Sequence, residues 1–216
     1  MKPVQTYWDI KLGEIKETFE DNGYTTHVAK NSKAAASLVL DKILPKLKPS
    51  SISFGGSMTV VDSGLYDQVK KIKQAKVIDT YDTTPSMEER IERRRQALLT
   101  DVFITSANAI TEEGELVNLD GTGNRVAAMA FGPRNVIVLV GRNKLCVDLD
   151  AAVSRIKEYA APVNAMRLKR KTPCAVTGKC ADCSSKDRIC SVWSITEKSS
   201  PKGRIHVILI NEDLGY

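Results

Sequence analysis

The densest set of metal-ligating side chains in the sequence is a group of four cysteines within 17 residues. These are Cys174, Cys180, Cys183 and Cys190, in the pattern Cys-x5-Cys-x2-Cys-x6-Cys. Four thiolates suit tetrahedral Zn²⁺ or an iron–sulfur cluster and are poor ligands for Mg²⁺ or Ca²⁺. Because the spacing completes neither a zinc ribbon nor the ferredoxin run, the residues alone leave both metals open, along with unligated or disulfide-bonded thiols. The pattern predicts a cysteine-rich metal-binding insertion at about residues 171–200.

A second group with possible chemistry is the run Gly-Gly-Ser-Met-Thr at 55–59, which follows a predicted strand. Glycines permit a tight turn, and freed amides at a helix N-terminus together with hydroxyls can hold an anion. We therefore predict that Gly55, Gly56, Ser57 and Thr59 bind a ligand. The alternative is a plain turn between strand and helix, since neither the Rossmann nor the P-loop glycine pattern is present.

A third group combines carboxylates, amides and one arginine between residues 108 and 125. Arg125 carries a planar fork suited to a carboxylate or phosphate. Glu115 and Asp120 are the candidate catalytic residues, acting as a base or nucleophile if they are partly desolvated. The other predicted ligand-binding residues are Asn108, Asn118, Gly121, Gly123 and Asn124. The alternative is that the Asp-Gly-Thr-Gly-Asn run only forms a turn and caps the following helix.

Two continuous apolar runs, at 101–105 and 135–141, must position these groups. Such runs, each followed by small polar residues, are typical of strands buried on both faces in parallel sheets. Helical spacing of apolar residues at 6–22 and from Asp148 onward predicts covering helices, whereas 164–200 shows no periodicity. We predict an α/β fold with a central, mostly parallel sheet flanked by helices. Because ligands in such sheets bind outside the carboxyl ends of the strands, the polar loops should converge there.

The bulk composition limits the choice of partner. With 216 residues, 42% of them hydrophobic, the chain is expected to form a single domain over 1–216. No run approaches the roughly 18 apolar residues of a membrane span and no signal-peptide core is present, so we expect a cytoplasmic chain. The net charge of +6 could attract an anion. We do not expect nucleic-acid binding, because basic and acidic residues are interleaved and no aromatic-rich basic ribbon accompanies them. A small anionic metabolite is the expected partner.

Four motifs in one order resemble the lactate-utilisation (LUD) domain family. They are Phe-Gly-Gly-Ser-Met-Thr at 54–59, Ile-Thr-Ser-Ala-Asn-Ala-Ile at 104–110, Glu-Leu-Val-Asn-Leu-Asp-Gly-Thr-Gly-Asn-Arg at 115–125, and Gly-Pro at 132–133 before the second apolar run. The resemblance covers nearly the whole chain. It implies the fold shared by sugar-phosphate isomerases, glucosamine-phosphate deaminases and CoA transferases.

The resemblance also implies a function. It indicates a component of a redox system that oxidises a small 2-hydroxy acid, of the L-lactate to pyruvate type, beside iron–sulfur partner subunits. Given this redox association, a [4Fe-4S] cluster is the favoured occupant of the cysteines, with zinc as the alternative. Two other functions remain open: a stand-alone transferase, isomerase or hydrolase of a phosphorylated or acyl substrate, and a regulatory or scaffolding subunit with a structural zinc loop. The chain could also form a homodimer, and the residues do not decide whether it is catalytic alone.

Overall fold

The computed structural model describes residues 3–216, which contain ten strands and ten α-helices. The strands are β1 (Thr25–Ala29), β2 (Ser51–Phe54), β3 (Lys76–Ile78), β4 (Val102–Thr105), β5 (Ala109–Thr111), β6 (Leu116–Asp120), β7 (Asn135–Gly141), β8 (Leu145–Cys146), β9 (Val192–Thr196) and β10 (Ile205–Ile210). The helices are α1 (Pro3–Asp21), α2 (Ser32–Leu38), α3 (Leu44–Leu47), α4 (Met58–Asp62), α5 (Leu65–Val69), α6 (Met87–Ala97), α7 (Asn124–Ala130), α8 (Leu149–Arg155), α9 (Ala161–Arg167) and α10 (Pro173–Thr177). One π-helical turn joins α2 to α3 and another joins α8 to α9.

The main sheet has six strands in the order β1–β10–β7–β4–β2–β3, and every neighbouring pair is parallel. Strand β7 shows how both faces are buried. Val136, Val138 and Val140 point into one apolar core, which α1 covers, while Ile137 and Leu139 point into the core on the opposite face. Because side chains alternate along a strand, a fully apolar run has to be covered on both sides. The predicted α/β class with a helix-flanked parallel sheet is confirmed.

A second, smaller sheet was not expected from the sequence. Its order is β8–β5–β6–β9, in which β5 and β6 form an antiparallel hairpin and β9 adds antiparallel to β6. Strand β9 lies within the cysteine-containing segment 171–200, and α9 extends to Arg167. The segment 164–200, whose sequence shows no periodicity, therefore contains regular structure that the pattern did not indicate. The cysteine segment is joined to the domain through the ladder between β6 and β9.

The described residues, 3–216, include no helix that is both long enough and apolar enough to cross a membrane.

Candidate functional site

A pocket of about 330 Å³ opens at the carboxyl ends of β2, β4 and β7. Its walls come from the loop after β2, the loop after β4, the turn after β6 and the residues just after β7. The lining is completed by α9 and the residues on either side of it, by residues 188–189 of the cysteine segment, and by Thr80, Arg94 and Tyr216. Ser57 and Arg125, which lie 68 positions apart in the chain, both line this pocket. The predicted convergence of the polar loops at this edge of the sheet therefore occurs.

The structure brings together seven of the twelve candidate catalytic and ligand-binding residues. Those lining the pocket are Gly56, Ser57, Asn108, Asp120, Gly121, Asn124 and Arg125. The five that do not line it are Gly55, Thr59, Glu115, Asn118 and Gly123. These five residues can affect a bound molecule only through the residues that they contact.

The loop after β2 uses its own polar groups internally. The backbone N–H of Ser57 donates to Tyr81 Oη at 2.7 Å, and Ser57 Oγ accepts from the backbone N–H of Val60 at 3.2 Å. These two amides are therefore engaged within the fold, whereas the backbone N–H of Gly56 has no hydrogen bond to another described residue. Anion binding by this loop stays a prediction. Gly55 is required by packing, because a Cβ there would lie 2.7 Å from the Phe103 ring.

The side chain of Arg125 is buried, and neutral oxygens accept hydrogen bonds from both of its terminal nitrogens. Its Nη1 donates to Ser106 O at 3.2 Å and to Asn118 Oδ1 at 2.5 Å. Its Nη2 donates to Asn108 Oδ1 at 2.7 Å and to Leu119 O at 3.0 Å. Burial lowers the pKa of the guanidinium below its usual value, although an arginine stays charged at any physiological pH. Arg125 thus braces the loops and adds positive charge to the pocket, without a fork left free for a ligand.

Lys144 is a pocket residue that the motifs did not indicate. It follows β7, is 4% exposed, and its Nζ donates to Thr59 Oγ1 at 2.8 Å, Ser106 Oγ at 3.0 Å and Ala107 O at 3.1 Å. Desolvation, reinforced by the charges of two arginines nearby, lowers the pKa of Lys144 to about 7. A usable signal was its position just past the carboxyl end of a predicted buried strand. Thr59 does not line the pocket, but its Oγ1 accepts one of the hydrogen bonds from this amine.

The two candidate catalytic carboxylates are in different places. Asp120 lines the pocket, but Oδ1 accepts from the backbone N–H of Gly121 at 2.8 Å and Oδ2 accepts from that of Arg125 at 3.0 Å. These bonds fit the turn-and-cap alternative. Glu115 lies outside the pocket, where it accepts a hydrogen bond from Thr111 Oγ1 at 2.7 Å within the hairpin of β5 and β6. The two residues cannot act on one bound molecule in this pocket.

Positive charge dominates the pocket wall. The basic lining residues are Arg94, Arg125, Lys144, Arg167, Arg170 and Arg188, and the only acidic one is Asp120. Among residues 3–216, Arg188 alone of these six has a carboxylate within 4.0 Å, at 3.5 Å from Asp182. The side chains of Arg94 and Arg170 have neither a salt bridge nor a hydrogen bond to another described residue. Five of these six cations therefore have no carboxylate within 4.0 Å among residues 3–216, and the net charge of the wall is positive.

The cysteine segment closes one side of the pocket. A Cβ at Gly121 would lie 3.3 Å from the Cα of Ile189, so only glycine permits the approach without displacement. The backbone N–H of Ser191 donates to Asp120 O at 2.8 Å, and Arg188 Nη1 donates to Cys183 O at 2.6 Å. Arg188 thereby joins the pocket wall to the segment that carries the thiols.

The four clustered cysteines are half-buried free thiols. In the part of the chain that the structure describes, no three His, Cys, Asp or Glu side chains lie close enough together to hold a metal ion. As placed, the thiols do not form the tetrahedral set that zinc or a cluster requires. We therefore assign no chemical step to such a group, and metal binding by Cys174, Cys180, Cys183 and Cys190 stays a prediction.

Comparison with known proteins identifies the family. The family model of the LUD domain matches residues 12–210, nearly the full length. The chain belongs to the LUD domain family. This family is associated with lactate utilisation. A DUF162 family protein from Deinococcus radiodurans, of known crystal structure, superposes on this LUD domain with a TM-score of 0.50 and 13% identity, covering 94% of this chain and 98% of that chain. At this identity the likeness shows the fold alone. No curated protein matches the sequence.

Proposed function

We propose that this LUD domain binds a small anionic metabolite, a 2-hydroxy acid of the lactate type or the corresponding 2-oxo acid, as a component of a redox system that oxidises the hydroxy acid. The observation that carries the proposal is the unbalanced positive charge of the pocket. The association of the family with lactate utilisation indicates the acid.

Unbalanced cations favour an anionic occupant for a simple electrostatic reason. Cations that line a concave pocket raise the local concentration of anions and attract them from solution. Arg125 is buried and has no carboxylate partner among the described residues, so a bound carboxylate would add a favourable interaction that the empty fold lacks. The side chains of Arg94 and Arg170 have no partner among residues 3–216, so these two groups are free to contact that carboxylate directly.

The size and polarity of the pocket suit a small acid. Its volume of about 330 Å³ lies near the lower limit of small-molecule sites, which span roughly 300–1,000 Å³. Asn108 Oδ1 accepts from the backbone N–H of Leu119, and Asn124 Oδ1 accepts from Thr122 Oγ1. The amide hydrogens on Nδ2 of both asparagines remain as donors to a hydroxyl or carbonyl oxygen.

In the proposed oxidation, this chain and its partner subunits have separate roles. Oxidising a 2-hydroxy acid to a 2-oxo acid removes two electrons and two protons. We assign binding and orientation of the acid to this chain and electron acceptance to partner subunits, as the resemblance to the LUD family implies. A [4Fe-4S] cluster or zinc on the cysteines is a separate hypothesis, which metal and sulfide analysis of anaerobically purified protein tests.

Isothermal titration calorimetry tests the binding proposal. L-lactate and pyruvate should bind the purified protein, whereas lactamide, neutral and of nearly the same size, should bind far more weakly. Arg170→Met should weaken binding of both acids roughly fivefold, the equivalent of about 1 kcal/mol for one partly exposed charge. Arg134→Met is the matched control, because Arg134 is exposed and lies outside the pocket. This variant should bind both acids with unchanged affinity. Equal binding of lactamide and lactate, or no binding of either acid, would refute the proposal.

A further inference from the structure

The amine of Lys144 offers chemistry that the binding proposal does not use. Its Nζ has three hydrogen-bond acceptors around it, two hydroxyls and one carbonyl, and no carboxylate within ion-pair distance among the described residues. A lysine that is 4% exposed ordinarily has an acidic partner, because burying an isolated ammonium group is costly. The setting of Lys144 is therefore unusual for a structural lysine.

The charged neighbours of Lys144 oppose its protonation. Arg155 and Arg125 both act on it with positive charge, and only Asp62 acts in the opposite direction. Burial is the main cause and, together with these charges, lowers the pKa to about 7, so the neutral form is far more populated near pH 7 than in an ordinary lysine. A neutral amine is the form that attacks carbonyl carbon.

We propose that Lys144 is a nucleophile that captures a 2-oxo acid as a Schiff base, an inference that rests on the proposed binding of 2-oxo acids in this pocket. The neutral Nζ attacks the carbonyl carbon, a C–N bond forms, and the carbonyl oxygen takes up a proton to give a carbinolamine. That hydroxyl leaves as water after a second proton transfer. Overall, the amine, the ketone and one proton give an iminium ion and water, with no change in oxidation state.

The hydroxyl groups beside Nζ are placed to serve this step. Ser106 Oγ lies 3.0 Å from Nζ and also lines the pocket, so it can exchange protons with both the amine and the bound acid. Ser106 Oγ in turn lies 3.4 Å from Thr59 Oγ1, which extends the chain of hydroxyls below the amine. The arginines of the wall would hold the carboxylate of the same molecule. Because only a carbonyl can form the imine, the site would retain the 2-oxo acid and release the 2-hydroxy acid.

Reductive trapping tests the proposal. The full-length protein is incubated with pyruvate and sodium cyanoborohydride, and the modified residue is identified by intact mass and peptide mapping. We expect a single adduct on Lys144, no adduct with L-lactate, and trapping that becomes faster from about pH 6 to 8 as the amine loses its proton. Acid-denatured protein should lose the selectivity for Lys144.

Lys144→Arg tests whether Lys144 acts as a nucleophile or only as a positive charge, since arginine keeps the charge but lacks the amine. The variant should lose the adduct while calorimetry still detects pyruvate. If wild-type protein binds pyruvate without forming the adduct, or if the adduct spreads equally over exposed lysines such as Lys73, the Schiff-base proposal is overturned while the binding proposal stands. If pyruvate does not bind at all, both proposals fail.

Discussion

Replacing Arg125 by Met should destabilise the fold, because this side chain holds the pocket loops together. Its guanidinium donates four hydrogen bonds, to Ser106 O, Asn118 Oδ1, Asn108 Oδ1 and Leu119 O. These acceptors belong to two separate stretches of chain, the loop 106–108 between β4 and β5 and strand β6. Met fills similar space but leaves all four oxygens without this donor.

The size of the effect follows from two opposing terms. Hydrogen bonds from a charged donor contribute about 1.5–3 kcal/mol each, so four of them amount to roughly 6–12 kcal/mol. Removing the guanidinium also removes the desolvation penalty of a buried charge, which offsets part of that loss. We expect a net loss of about 3–5 kcal/mol in the free energy of unfolding, the range usual for breaking a buried charged network. Such a loss is a large fraction of the stability of a typical domain.

Urea unfolding followed by circular dichroism measures this quantity. Arg170→Met is the matched control, since it removes a charge from the same wall without removing a protein hydrogen bond. Its unfolding free energy should stay within about 0.5 kcal/mol of wild type. If Arg125→Met proved as stable as wild type and lost only affinity for acids, the guanidinium would be a ligand-binding fork, and the structural interpretation would be refuted.

Three further predictions concern other parts of the molecule. Burial lowers the pKa of His206 from 6.5 to about 4. The stability that depends on neutral His206 is therefore fully present above pH 6.5, and up to about 3 kcal/mol of it is lost as the pH falls towards 4. His206→Leu should flatten the pH dependence of the unfolding free energy measured in urea, and an unchanged slope would contradict this. Gly55→Ala should cost about 1–3 kcal/mol, because its Cβ would meet the Phe103 ring at 2.7 Å; an unchanged melting temperature would argue against that close contact. Cys180→Ser and Cys183→Ser should each lower the metal content of anaerobically purified protein, and full retention in both would rule out their role as ligands.

Much of the main sheet could be predicted because its signals are local. A continuous apolar run such as 135–141 is compatible with few structures other than a strand covered on both faces. The start of helix α6 has an equally local signal, because the Ser-x-x-Glu spacing of Ser86 and Glu89 is that of the capping box that they form. The second sheet could not be predicted from the sequence. Strand β9 is half exposed and its partner β6 lies more than 70 residues earlier, so the pairing depends on tertiary contacts that no local pattern records.

The pocket shows the same limit. Sequence spacing located the loops that converge and identified Arg125 as an important side chain. It could not show that neutral oxygens already occupy both terminal nitrogens of the guanidinium, because those oxygens come from segments up to 19 residues away. Lys144 was missed for a related reason. Its chemistry comes from burial and from the charges of Arg125 and Arg155, which only the folded chain brings near.

A crystal structure of the protein grown with pyruvate tests the central claim most directly. The account predicts one molecule in the pocket at the carboxyl ends of β2, β4 and β7, with its carboxylate close to Arg94 or Arg170 and its carbonyl carbon facing Lys144. An empty pocket at saturating pyruvate, or pyruvate bound elsewhere on the surface, would contradict it.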